Sequence, residues 1–413
     1  MNKSESEIFK TQCRCNVLTG NQVKASYRSS ENLMYRCNPY IEALPSIDTS
    51  EKAISLMRRY PGYSEGERLL SARERLEQVQ KLSNYVEPLN LFIELEQRLS
   101  RVIRNGYFTR NPISSEWKKQ LISAFPTLEW NAEETDYIPL VHSSFTGFCM
   151  LGTSGIGKSL AVLSVLSLYP QIITHTEYNG NTFLQTQLVW LIIECPHDGS
   201  IKGLCLNFLQ SIDRILNTRY YERYGRRTVD ELIPIIGKLA GILGLGVLVI
   251  DEIQRLNEAK SGGSDKMLNF FVQLNNTIGV PVILVGTYDA LHLIANKFAN
   301  ARRNAGQGDM ILSNMTNNEE WEFFVDGLWK YQWTNPPTPL SPELRDALHA
   351  ESLGILDITV KLYQIVQWSI IGSGDERITP KLLRTVARQC LKLCENCSFQ
   401  EPFGFLEFFQ SYQ

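Results

Sequence analysis

Residues 152–159 read Gly152-Thr153-Ser154-Gly155-Ile156-Gly157-Lys158-Ser159 and fit the pattern G-x-x-x-x-G-K-[ST]. In that pattern the glycines let backbone N–H groups turn inward around a triphosphate. The helix that follows adds positive field at its N-terminus, a lysine reaches the β- and γ-phosphates, and a hydroxyl serves Mg²⁺. The expected nucleotide contacts are these eight residues together with Leu160, and the expected bound groups are ATP and Mg²⁺. Asp251 and Glu252 close the apolar run that starts at Gly246, as a buried parallel strand does when it carries carboxylates to the C-terminal edge of its sheet. Asp251 is expected to join Ser159 in serving Mg²⁺. Glu252 is expected to act as general base on the attacking water.

These residues need a strand, a loop and a helix in that order. The apolar run at 146–151 and the helix-like run at 160–168 supply the flanks. From about Tyr137 short apolar strands alternate with helices, the signature of a βαβ sheet. Strands are expected at 172–178 and 188–194 with Gly180-Asn181 turning between them, helices at 201–216 and 229–243, and strands at 247–250 and 281–286. Upstream, residues 1–48 show no sustained period. Ser64-x-x-Glu67 predicts a capped helix reaching about Val86, and Leu89, Phe92, Leu95, Leu99, Val102 and Ile103 form an apolar stripe at helical spacing. Glycine and proline break that pattern over 104–112, and a further helix is expected at 115–125. Beyond about Ser313 strands give way to helices at 319–329, 342–351, 355–371 and 380–394. The expected fold class is α/β: a parallel sheet with flanking helices around the phosphate loop. The division is a helical N-terminal module for partner docking over 1–135, the nucleotide-binding domain over 136–312, a small helical lid over 313–395 and an aromatic tail over 396–413.

Bulk properties constrain less. The 413 residues carry a net charge of −3, so any nucleic-acid contact must come from a local patch. The cysteines are odd in number and lack framework spacing, which makes reduced thiols in a cytoplasm the economical reading. Cys390, Cys394 and Cys397 offer three metal ligands with no nearby histidine. No apolar signal core opens the chain and no uninterrupted apolar stretch reaches membrane-spanning length, so no membrane partner is expected and a cytoplasmic, prokaryotic location is.

A helical lid after a P-loop sheet resembles the AAA+ arrangement. The resemblance implies that Thr287, at the end of the 282–286 run, orients the attacking water, and that Arg302 or Arg303 reaches the γ-phosphate bound by a neighbouring subunit. The usual lid arginine has no counterpart in residues 354–361, where only Lys361 offers a cation. More specific stretches point further: residues 38–45 (Asn-Pro-Tyr-Ile-Glu-Ala-Leu-Pro), 103–112 (Ile-Arg-Asn-Gly-Tyr-Phe-Thr-Arg-Asn-Pro), 187–191 and 195–205, and 250–256 (Ile-Asp-Glu-Ile-Gln-Arg-Leu). Over about residues 38–395 the chain resembles the TnsC/TniB branch of AAA+ transposition regulators, found in heteromeric cut-and-paste and CRISPR-associated transposons.

That resemblance implies an ATP-dependent homo-oligomer, a ring or helical filament on duplex DNA. It also implies a target-selection partner of the TniQ/TnsD kind and transposase subunits of the TnsA/TnsB kind. It places DNA contacts at Lys202 and Thr218. Independently, five arginines stand against Asp213 and Glu222 over 213–227, interleaved with tyrosines, and Arg219 and Arg223 are the candidate phosphate contacts there. A charged, solvated helix end has the same composition. Two other classes of function share the ATPase core: a signalling NTPase whose oligomer recruits a protein effector without DNA, and a replication initiator or helicase loader. The second is expected to carry a C-terminal DNA-reading domain, and only about 18 residues follow the last expected helix.

Overall fold

The computed structural model describes residues 20–46, 49–124, 147–258, 279–291 and 307–390. Eight strands lie in that set: β1 Gln22–Lys24, β2 Phe148–Gly152, β3 Ile172–Tyr178, β4 Asn181–Leu188, β5 Trp190–Glu194, β6 Val247–Asp251, β7 Val282–Gly286 and β8 Met310–Leu312. Five of them form a parallel sheet in the order β5-β6-β7-β2-β8. Its strands are apolar along almost their whole length because helices cover both faces. Helices α1 Asn90–Phe108 and α2 Lys158–Leu166 pack on one face, where Met150, Val249 and Val285 meet Leu95, Leu99 and Val162. Helices α3 Ile201–Leu216 and α4 Val229–Ile242 pack on the other, where Leu151, Ile250 and Leu284 meet Phe208, Ile212 and Ile236. Alternation along each strand thus sends successive side chains into two separate cores.

The remaining strands make a second sheet, β1-β3-β4. Here the sequence expectation of one strand over 188–194 needs correction. Residues 181–188 form a strand of their own, antiparallel to β3, and the chain changes sheets at Val189 before entering the main sheet as β5. The turn falls at Asn179-Gly180, both at positive φ, a tight hairpin of the kind this dipeptide favours. The upstream helices are also shorter than the pattern suggested. Ser64 makes no side-chain cap bond; the capping box is instead Ser71 with Glu74, and it starts a helix that runs only over Ala72–Val79. The reverse happens after Arg104, where glycine and proline were expected to break the stripe, because α1 continues through Gly106 to Phe108.

The C-terminal helices α5 Glu319–Trp329, α6 Pro342–Ser352, α7 Leu356–Ile370 and α8 Pro380–Cys390 share a third core. Val79, Leu82, Tyr85 and Leu89 from the N-terminal part complete that core, whereas Tyr40, Phe92, Leu95 and Leu99 belong to the core of the main sheet. The N-terminal part therefore bridges sheet and lid. No described helix is long and apolar enough to cross a membrane.

A buried ion pair fastens the bridge to the lid. Arg75 donates through Nη1 and Nη2 to Glu376 at 2.5 and 2.8 Å, and Nη1 also reaches the carbonyl of Trp333 at 2.8 Å. Burial alone would raise the Glu376 carboxyl, but the Arg75 hydrogen bonds, the N–H groups of Gly372 and Asn335 and the Arg75 charge hold it at about 2. Both side chains are under 10% exposed, so removing one leaves the other as an unpaired buried charge. Arg75→Ala should cost about 3–5 kcal/mol in urea unfolding. Because the folded-state value lies below the ordinary 4.5, the contribution of Glu376 is complete above that pH and is lost as pH falls towards 2. Acid unfolding curves of wild type and Arg75→Ala should therefore converge over that range.

Candidate nucleotide-binding site

Strand β2 ends at Gly152 and α2 begins at Lys158, so the five intervening residues turn the chain at the C-terminal edge of the sheet. Gly155 has φ +81° and Gly157 φ +98°, which L side chains rarely adopt, and this lets the loop fold with its N–H groups inward. A Cβ on Gly155 would stand 3.1 Å from Ile355, and the Gly155 carbonyl accepts the Asp357 N–H at 3.1 Å. The lid thus touches the phosphate loop directly. Lys158 is 8% exposed and its Nζ donates to the carbonyls of Gly152 and Thr153, each at 2.8 Å. Burial lowers the pKa of its ammonium, and the charges of Asp251 and Glu252 act in the opposite direction. Ile156 is buried and Leu160 is exposed on the first turn of α2.

Parallel pairing of β6 with β7 and β7 with β2 carries Asp251 to the same edge. There Ser159 Oγ donates to Asp251 Oδ2 at 2.5 Å, so a hydroxyl and a carboxylate converge as hard oxygen donors suited to Mg²⁺. The next residue, Glu252, has φ +59° although it is not glycine, and its N–H donates to Asp251 Oδ1 at 2.8 Å. Its Oε2 accepts from Gln254 Nε2 at 2.6 Å, while Gln254 Oε1 accepts the Thr287 N–H at 3.1 Å. The Thr287 hydroxyl donates to Asp289 at 3.0 Å. The two acids, the serine, the lysine and Thr287 therefore share one edge. Arg302 and Arg303 lie outside the described residues.

A cavity of about 380 Å³ opens from this edge towards the lid. Tyr85, Val86 and Phe92 line it from the N-terminal part, and Phe324, Leu356 and Val360 from the lid. The lining joins these aromatic and apolar side chains to the glycines of the phosphate loop and to charged groups, a combination that suits a base joined to a triphosphate. None of these six residues stands in a local motif; long-range packing alone brings them together. Lys361 also lines the cavity and donates to Asp357 at 2.6 Å.

The candidate DNA contacts are not brought together as one patch. Lys202 is exposed on the first turn of α3, on the nucleotide side of the sheet. Thr218, Arg219 and Arg223 follow the far end of that helix, roughly 24 Å away at 1.5 Å per residue. Thr218 Oγ1 donates to Asp213 at 2.6 Å, and the same carboxylate takes the N–H groups of Tyr220 and Tyr221, each at 2.7 Å. Arg219 is exposed with Glu222 at 3.9 Å, and Arg223 lies 5.2 Å from the centre of the Tyr224 ring.

Residues 146–294 match the family model described as an AAA domain. No curated protein matches the sequence significantly. Among solved structures, the chain is similar to the ORC2 protein of Aeropyrum pernix, at 10% identity and TM-score 0.41, over 59% of this chain and 61% of that one. It is also similar to the ORC1 protein of Aeropyrum pernix in complex with DNA, at 14% identity and TM-score 0.43, over 71% of this chain and 64% of that one. A Walker-type ATPase of Pyrococcus abyssi aligns at 15% identity and TM-score 0.41, over 65% and 71% of the two chains. The chain spans less than two thirds of the length of the two Aeropyrum proteins. It has the P-loop AAA+ fold, and the AAA domain at 146–294 supports ATPase activity. Replacing Lys158 by alanine removes the buried cation at the phosphate end while leaving only two carbonyls to be re-solvated. Binding of a fluorescent ATP analogue should weaken by about 10- to 100-fold with little loss of thermal stability.

Proposed function

We propose that this chain is a regulator of transposition that assembles on duplex DNA with ATP as a ring or helical filament. In this role it links a target-selection protein of the TniQ/TnsD kind to transposase subunits of the TnsA/TnsB kind, and it comes apart on hydrolysis. One observation carries the reading: the stretches that resemble TnsC/TniB regulators, far apart in sequence, are bonded to one another in the fold. Asn38 Nδ2 donates to the Tyr107 carbonyl at 2.7 Å, Arg104 Nη2 to the Pro45 carbonyl at 2.6 Å, and Gln187 Nε2 to the Tyr40 carbonyl at 3.1 Å. Those stretches form one connected part of the fold, and this supports reading the resemblance as one of architecture rather than of the phosphate loop and the acids alone.

In this reading Lys158 and the loop N–H groups hold the triphosphate, and Ser159 and Asp251 hold Mg²⁺, which when bound supplies charge neutralisation at the β- and γ-phosphates. Glu252 takes a proton from the attacking water, Thr287 helps orient that water, and Arg302 or Arg303 comes from the neighbouring subunit. Lys202, Thr218, Arg219 and Arg223 meet the DNA backbone. Each grip is weak, and stacking subunits along a duplex repeats it so that the assembly binds well.

Electron microscopy of the protein with duplex DNA and a non-hydrolysable ATP analogue should show rings or filaments; a monomer under every combination of nucleotide and DNA would sink the proposal. Glu252→Gln should bind ATP but hydrolyse it at least about 100-fold more slowly, leaving long-lived DNA complexes. Lys202→Ala should reduce the dependence of log affinity on log salt by about one unit. If duplex affinity ignores both ATP and Lys202, the signalling NTPase becomes the better account.

A further inference from the structure

Gln254 bonds both Glu252 and Thr287, the residue that follows β7. Its Nε2 donates to the Glu252 carboxylate at 2.6 Å and its Oε1 accepts the Thr287 N–H at 3.1 Å. The first bond stays on the β6 side and the second crosses the gap to the neighbouring strand end, and a glutamine is the right side chain for this because its amide carries a donor and an acceptor side by side.

Two further features make room for it. The left-handed backbone at Glu252, φ +59°, breaks the extended course of β6, so that Gln254, two residues on, returns over the sheet edge. Gly286, the last residue of β7, leaves the space that the amide fills: a Cβ there would lie 2.8 Å from Gln254 Oε1 and 2.5 Å from Ile253 Cγ2. A non-glycine residue held at positive φ and a glycine at the contact point both favour the same placement.

We propose that Gln254 is a positioning residue, which fixes the Glu252 carboxylate against the β7 end so that its second oxygen faces the attacking water. The inference rests on Glu252 being the base, as proposed above. One carboxylate oxygen is occupied by the amide and the other is left to accept the proton. Through Thr287, any shift of the β7 end moves the base with it.

The test is steady-state ATP hydrolysis by the full chain on duplex DNA, with equilibrium binding of a fluorescent ATP analogue in parallel. Gln254→Ala should lower kcat by about 10- to 100-fold while KM and analogue binding stay within about twofold of wild type. Gln254→Glu keeps an acceptor for the Thr287 N–H but loses the donor to Glu252, so it should be as slow as Gln254→Ala. Wild-type turnover in Gln254→Glu would overturn the proposal and leave Gln254 as a brace for Thr287. Adding Gln254→Ala to Glu252→Gln should cost nothing more, because the residue acts through Glu252. An equal further loss in the double variant would overturn the proposal too. Turnover at the wild-type rate in Glu252→Gln alone would overturn the base assignment and this inference with it, whereas a slow Glu252→Gln beside a normal Gln254→Ala overturns this inference alone.

Discussion

The site depends on one strand lying between two others. β7 separates β2, which feeds the phosphate loop, from β6, which carries the acids, so the two are set apart by two strand spacings, about 9.5 Å. That gap is the slot in which phosphates and an attacking water can be held, and its floor is the end of β7. Leu151 is in register with Gly286 and Ile250 with Leu284, so against the shared strand β6 ends two residues lower than β2, which leaves the acids set back below the phosphate loop. Buried register of this kind resists slippage, since a one-residue slip would turn every core side chain of the strand to the opposite face. Given that frame, Ser159 needs only a short reach to meet Asp251 across the slot. The chain must also leave β6 abruptly, and the left-handed Glu252, steadied by its N–H bond to Asp251, makes that turn at a backbone cost of about 1–2 kcal/mol.

The frame is braced from outside the segment that matches the AAA domain. Tyr107 Oη donates to the Gly244 carbonyl at 2.8 Å, and Arg110 reaches the carbonyls of Leu245 and Gly246 at 2.5 and 3.3 Å. These are the three residues immediately before β6. Burial pushes the Arg110 guanidinium down to about 10, with Tyr107 and Tyr40 opposing, so it remains a cation at neutral pH. Because it is wholly surrounded by protein, its donors have to find carbonyls, and they fix where the acid-bearing strand begins. The end of α1 thereby sets the far end of the strand that delivers Asp251.

What the sequence made legible were the features that a short window can encode. The strand, loop and helix around Lys158 were readable because apolar runs flank a glycine-rich octet, and the lid helices because α5 and α7 keep a helical period between proline- and glycine-containing loops. β4 escaped because Asn181 to Gln187 is largely polar, and its pairing is paid in backbone bonds to β3 rather than in buried side chains. Ser64 misled because a capping pattern says nothing of whether the following residues have a core to bury against; Leu69 is 81% exposed, whereas the helix after Ser71 packs Leu76 and Val79 towards the lid. Tyr85, Phe92, Phe324 and Val360 were invisible as site residues for a different reason. Each looks like ordinary core, and only the placement of the N-terminal part between sheet and lid turns them towards one cavity.

That placement bears on how nucleotide could govern DNA binding. Ligand in the cavity touches the phosphate loop, the N-terminal part and the lid at once, so it can bias their arrangement by any difference in contact between two states. Lys202 sits on the first turn of α3, at the same edge of the sheet as the phosphate loop, and at that edge Arg255 bonds Glu194 and the Cys195 carbonyl at 3.1 and 2.8 Å. Arg219 and Arg223 sit at the other end, with the length of α3 between them and the phosphates. On the proposed reading, then, the two groups of cations answer to ATP by different routes. Lys202 can respond through its own subunit, by way of β5 and β6. The arginines have no direct link to the slot, so their contribution grows with nucleotide only if subunits stack and align them along the duplex, which makes assembly the step at which the charge of this otherwise acidic chain becomes effective.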